Sequence, residues 1–187
     1  MNSDNLIIAQ TAKWISDVVI GCNFCPFAAR EIHKGGVLYT VVNSKDSKAV
    51  LESLSRAFDQ LDVDTKIETI LLLIPEGFQS FSAYLQLLAL AESFLQKEGY
   101  EGIYQVASFH PEYLFANALH NDPSNYTNRS PYPMLHLLRE QSVTLAIENF
   151  PGTENIPKNN IKFTKAKGLI TMQNLLKACL EIVPKNN

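Results

Sequence analysis

Two histidines, two arginines, a glutamate and a cysteine are the residues whose types and settings could do chemistry in this chain. His110 stands in Ser108-Phe109-His110-Pro111, at the end of a short apolar run. Histidine has the unperturbed pKa nearest neutrality, so a partner can make it an acid, a base or a ligand. Further on, Ser130 and Pro131 suit an N-cap and first helical position, and a helix over 131–149 would end before Pro151 and Gly152. On such a helix His136, Arg139, Glu140, Val143 and Ile147 share one stripe, bringing three ionisable groups onto a partly covered face. Unpaired buried charge is costly, so these groups are expected to bond one another, a loop or a ligand. Two of the four arginines, Arg129 and Arg139, bracket the Asn-Arg-Ser-Pro-Tyr-Pro turn of residues 128–133. Helix-start amides and two guanidinium forks would make an anion site for phosphate or carboxylate, with Asn128, Ser130 and Ser108 as polar neighbours. His110 and His136 are expected to meet there as general acid and base. The plainer alternative is a rim histidine bonded to its loop, with arginines pinning loop carbonyls.

Cys25 is the other candidate, in Gly21-Cys22-Asn23-Phe24-Cys25-Pro26-Phe27. C-x-x-C spacing fits a redox pair or half a zinc site, and no second such pair exists to complete four thiolates. Pro26 would open a short helix and set the Cys25 thiol near its amide dipoles, which favour thiolate. A mixed zinc site of Cys25, His110 and His136 is chemically allowed, and zinc is the one cofactor this suggests. Buried structural thiol, reactive thiol and metal ligand all stay open.

Residues 5–20 show helical spacing with Trp14 as a core anchor. Residues 36–42 read as a strand, Ser47 caps an amphipathic helix through Leu61, and Ile67 to Ile74 reads as a strand buried on both faces. A helix from Ser80 to Gly99 and a strand from Ile103 to His110 follow. On that last strand Ile103, Gln105, Ala107 and Phe109 share one face, while Ser108 and His110 share the other. The second half shows no comparable strand: residues 117–133 form a long ordered loop, and helices fill 131–149 and 154–183 with a break at Gly168. The expected fold class is α/β or α+β, a small mixed or parallel sheet of about three strands with helices packed on it and a helical C-terminal half. In a parallel sheet Asn43, Glu76 and His110 would gather beyond the strand ends.

Composition sets the outer bounds. The chain has 187 residues, 46% of them apolar, and a formal charge of −3, so a single domain over 1–187 can bury a sizeable core. The longest mainly apolar stretch, Phe81 to Leu95, is too short and too polar to span a bilayer. The start lacks the features of an export signal, so a cytoplasmic location is expected. That compartment would keep the three cysteines reduced. Residues 153–187 hold six lysines against Glu154 and Glu181, a balance of +4, leaving −7 for the rest. Without aromatic interleaving or adjacent basic residues this reads as a solvated face and argues against a nucleic-acid partner. Composition leaves the oligomeric state open.

Three blocks together resemble a bacterial family, domain-of-unknown-function family 1415. They are Cys25-Pro26-Phe27-Ala28, then Ala107 to Pro111 with Tyr113 and Phe115, and above all Thr127 to Pro133 through His136-Leu137-Leu138-Arg139-Glu140. The resemblance runs from about Trp14 to about Leu169 and implies a bacterial cytoplasmic protein without supplying a mechanism. Cys22 lies outside the pattern, which argues against a dithiol pair. The leading expectation is a small-molecule enzyme for an anionic substrate, with His110 or His136 as acid or base and Arg129 and Arg139 as clamp. A thiol or metal enzyme centred on Cys25, or a non-catalytic interaction module, are the alternatives.

Overall fold

Through residue 109 the chain alternates helix and strand as its patterning predicts. In the computed structural model, which describes residues 3–182, α1 (Ser3–Trp14) runs straight into a π-helical segment, Ile15–Ile20. A turn then leads to the short α2 (Ala28–Lys34). Next come β1 (Val37–Val41), α3 (Ser47–Val63), β2 (Thr69–Leu73), α4 (Phe81–Lys97) and β3 (Tyr104–Phe109). Asp46, and not the neighbouring Ser47, caps α3: its carboxylate accepts from the Lys48 N–H at 3.2 Å. All of β2 is buried, as a continuous apolar run requires. Gly99, at φ 80°, closes α4 by letting Tyr100 N–H reach back to the Leu95 carbonyl at 3.0 Å.

Past residue 109 the structure corrects the sequence reading. Met134–Arg139 is a fourth strand, β4, and the helix α5 begins only at Glu140 and runs to Asn149. Ser130 and Pro131 therefore start no helix. β4 lies between β2 and β3, antiparallel to both, in the order β1-β2-β4-β3, while β1 is parallel to β2. The sheet is mixed, with four strands in place of about three. Leucine prefers helix over strand by well under about 1 kcal/mol per residue, whereas burying one leucine contributes roughly 1.5–3 kcal/mol. A slot with an open ladder on each side therefore overrides local propensity. The entrance is set by Ser130 and Tyr132, each held toward extended backbone by the proline after it, and Ile74 N–H takes the Pro133 carbonyl at 2.9 Å.

Residues 117–133 are the long loop expected, with a 3-10 turn at Pro123–Thr127. Two helices, α6 (Ile156–Lys167) and α7 (Leu169–Leu180), follow and break at Gly168. Val183, where the sequence reading ends its last helix, lies outside the described residues.

The sheet separates two cores. Helices α3 and α4 pack on one face around Leu54, Phe58, Leu72, Tyr84, Leu135 and Leu137. On the other, α1, the π segment and α7 enclose Trp14, Val18, Leu71, Leu73, Met134 and Met172. Strand alternation accordingly sends Leu135, Leu137 and Arg139 to the first face and Met134, His136 and Leu138 to the second. Among the described residues, no helix is long and apolar enough to cross a membrane.

Candidate functional site

The second face is not filled along its whole length. Between the sheet, the π segment, α2 and α5 lies a cavity of about 340 Å³. Leu71, Ala107, Phe109, His136 and Leu138 line it from the sheet, Ile15 and Val19 from the π segment, Ala28 and Ile32 from α2, and Val143 and Ala146 from α5. The π segment suits this wall: its wider turn ends where Gly21 N–H donates to the Ser16 carbonyl at 3.0 Å. Such segments recur at functional sites. Trp14, a further wall residue, is fixed by its indole N–H donating to the Arg129 carbonyl at 3.1 Å.

His136 is the ionisable ring in this cavity. Its Nε2 is 2.6 Å from the Thr69 hydroxyl, whose single proton goes to the Leu137 carbonyl at 2.5 Å. The hydroxyl must therefore accept, so the imidazole carries its proton on Nε2 and a lone pair on Nδ1. No protein group bonds that Nδ1, and no fully enclosed side-chain nitrogen or oxygen among the described residues lacks a partner, so Nδ1 opens into the cavity. Burial lowers the His136 pKa to about 4, which keeps the ring neutral near pH 7. The site thus sets an imidazole acceptor in a mainly apolar wall, with Glu31, Glu68, Thr69, Gln105 and Ser142 as the other polar lining.

Cys25 lines this cavity and a second, larger one of about 570 Å³ between the 110–133 loop and α6. It is partly exposed, whereas Cys22 and Cys179 are buried and all three are free. Burial pushes the Cys22 thiol up and that of Cys179 to about 11, so neither forms thiolate readily.

The other residues singled out from sequence lie elsewhere. His110 is fully buried on the opposite face, where Nδ1 accepts from Glu112 N–H at 2.9 Å and Nε2–H donates to the Phe78 carbonyl at 2.9 Å. Its ring packs on Phe81 and Tyr84, and burial lowers its pKa. His110 and His136 therefore do not meet across a shared site, and the zinc set of Cys25, His110 and His136 is not assembled. No group of three or more metal-ligating side chains occurs among the described residues. Arg129 is 5% exposed and donates to the carbonyls of Tyr113 at 3.2 Å and His120 at 3.0 Å, with its guanidinium over Tyr126. Arg139 donates to the carbonyls of Leu61 and Ile67, at the end of α3 and beyond it. The two arginines flank opposite ends of β4 and each is a clamp on backbone, so they form no joint anion site. Glu140 is the first residue of α5, its N–H on the Ile103 carbonyl at 2.9 Å, and it shares no helical stripe with His136. Asn128 and Ser130 extend the β3–β4 pairing: the Asn128 amide donates to the Ser108 carbonyl, the Asn128 carbonyl accepts from His110 N–H, and the Ser130 hydroxyl donates to the Tyr132 carbonyl.

Sequence reasoning missed Thr69 and Gln105 as neighbours of His136. Thr69 had a signal, as the polar residue heading an otherwise apolar central strand. Gln105 had one as well, sharing the alternating face of Ala107 and Phe109 that floors the cavity.

Fold and site together define an α/β protein with a histidine-bearing apolar cavity against one face of its sheet. The chain belongs to the family described as protein of unknown function DUF1415, whose model matches residues 6–174. Nothing matches it among curated proteins or among solved structures.

Proposed function

We propose that this protein is a small-molecule enzyme whose substrate lies in the cavity over β2, β3 and β4, with His136 accepting a hydrogen bond or proton from it. One observation carries the reading: a neutral imidazole whose Nδ1 lone pair faces a half-open, mainly apolar pocket. A concave pocket with few polar groups is what small-molecule sites look like, whereas an interaction module would present a flat apolar patch. A ring whose pKa is about 4 stays in its base form at neutral pH but has little driving force as a base. It suits a donor whose proton moves only as the reaction proceeds. Of the two carboxylates lining the cavity, Glu31 is paired with Arg30 and Lys34 while Glu68 has no ion pair among the described residues and disfavours an anion there, and Arg129 and Arg139 are occupied by carbonyls. The substrate in this reading is neutral, in place of the phosphate or carboxylate that the arginine spacing suggests. The compartment is taken to be the bacterial cytoplasm, which suits three free thiols.

Protein-observed NMR with neutral fragments, each bearing a hydroxyl or amide N–H, tests the reading. Binders should perturb the His136 imidazole signals and be lost from a folded His136→Leu protein. Binding that is indifferent to that substitution would overturn it.

A further inference from the structure

The two cavities share a wall of Val19, Cys25 and Phe109. Along β3 the floor of the first steps from Gln105 through Ala107 to Phe109, about 13 Å at roughly 3.3 Å per residue. Polarity changes along this path. Gln105 pairs with Leu138, which also pairs with Thr69, so the Gln105 end gathers Thr69, Gln105 and the nearby Ser142 and Glu68. At the Phe109 end the wall is Trp14, Val19, Phe109 and the Cys25 thiol. Beyond that wall, Phe24, Phe115, Ile156 and Ile161 continue the apolar surface under the 110–133 loop. Both volumes lie in the range that holds small ligands. Polar side chains also line the second cavity, and most are engaged: Asn160 donates to the Phe24 carbonyl at 2.9 Å, Asn128 to the Ser108 carbonyl and Thr127 to the Ser124 carbonyl, while Lys165 pairs with Asp122.

We infer that the two cavities form one elongated site for a neutral amphiphile, its hydrogen-bonding head at His136, Thr69 and Gln105 and its hydrocarbon tail running past Cys25 toward α6. This inference rests on the His136 reading above and adds the substrate class. A flexible chain suits two cavities that adjoin at Val19, Cys25 and Phe109, whereas a compact ring would fill the first cavity alone. A neutral head fits because Glu68 stands beside Thr69 without an ion pair among the described residues, Glu31 is already paired with Arg30 and Lys34, and Arg139 is held by backbone carbonyls.

Cys25 reports on the tail. The Cys25 thiol adds across the C=C bond of N-alkylmaleimides of increasing chain length, sulfur bonding one carbon and its proton going to the other, and mass spectrometry reads the rate at Cys25 against the rate with glutathione. Selectivity for Cys25 should rise at least about tenfold from N-ethyl to N-octyl maleimide, as each buried methylene favours the apolar site. The Cys25→Ser protein should lose the chain-dependent product. Independently of the thiol, 1-decanol should raise the melting temperature of the wild type and 1-butanol should not. A flat or falling chain-length series, or no stabilisation by 1-decanol, overturns the amphiphile. If the series rises but His136→Leu leaves 1-decanol affinity unchanged, the amphiphile stands and the His136 reading falls instead.

Discussion

A neutral imidazole inside an apolar wall makes the fold sensitive to acid in a definite window. Unfolded, His136 titrates near its ordinary 6.5, whereas folded it titrates near 4, so between those values the unfolded chain binds a proton that the native one does not. This contribution is intact above pH 6.5 and is lost as pH falls toward 4. At about 1.36 kcal/mol per pH unit the loss is roughly 2 kcal/mol by pH 5, and His110, shifted the same way, adds to it. Urea unfolding at pH 7 and pH 5 should show this difference, and His136→Leu should remove part of it. An undiminished pH dependence in that variant would mean the ring is protonated in the native state. Arg129 gives the second expectation at this scale. Arg129→Ala removes the guanidinium from two part-buried loop carbonyls, of which that of His120 keeps only a long bond from the Asn125 amide, and should cost on the order of 1–3 kcal/mol in denaturant unfolding. Arg129→Lys should recover little, since an ammonium is not a planar fork. Phosphate should stabilise the wild type no more than chloride at equal ionic strength. A phosphate-specific rise in melting temperature that Arg129→Ala abolishes would restore the anion site.

The elements divide into those whose local sequence settles their type and those settled by partners. α3, β2 and α4 carry clear periodicity or a continuous apolar run closed by caps and a proline, and they stand where the patterning puts them. β4 does not, because Met-Leu-His-Leu-Leu-Arg is buried on both faces and so lacks the alternation that marks a strand. Only its prolines hinted at extension, through the residues that precede them. That one misreading moved His136, Arg139 and Glu140 from a shared helical stripe to two faces of a sheet and a helix start. The π segment was legible as helix but not as π, since its register depends on how the chain turns at Gly21. A Cβ at Gly21 would run into the Asp17 carbonyl, so Gly21→Ala should force that turn apart at about 1–3 kcal/mol. Thiol labelling should then reach the buried Cys22 sooner; unchanged Cys22 protection with unchanged stability would show that the turn tolerates a side chain.

For the whole molecule, the division into two faces decides what the sequence could reveal. Alternation puts Ser108 and His110 together on one face of β3, as they are, but it leaves open which side of the sheet that is, and the Cys25 sequence fits a buried as well as a reactive thiol. Bringing His136 beneath the π segment required the tertiary crossing of β4, which no local spacing encodes. That crossing has a further consequence for biogenesis. The strand between β2 and β3 is synthesised after both, so until Met134–Arg139 leaves the ribosome the newborn chain holds two open β edges that face each other across an empty slot. At roughly 5–20 residues per second that interval lasts a second or more. A chain stopped after Pro133 should therefore self-associate, visible as light scattering, and a peptide of residues 134–139 supplied in trans should suppress it. A truncated chain that stays monomeric would show that β2 and β3 find another way to cover their edges. The vulnerable moment for aggregation is thus the delay between the synthesis of β3 and the arrival of the central strand.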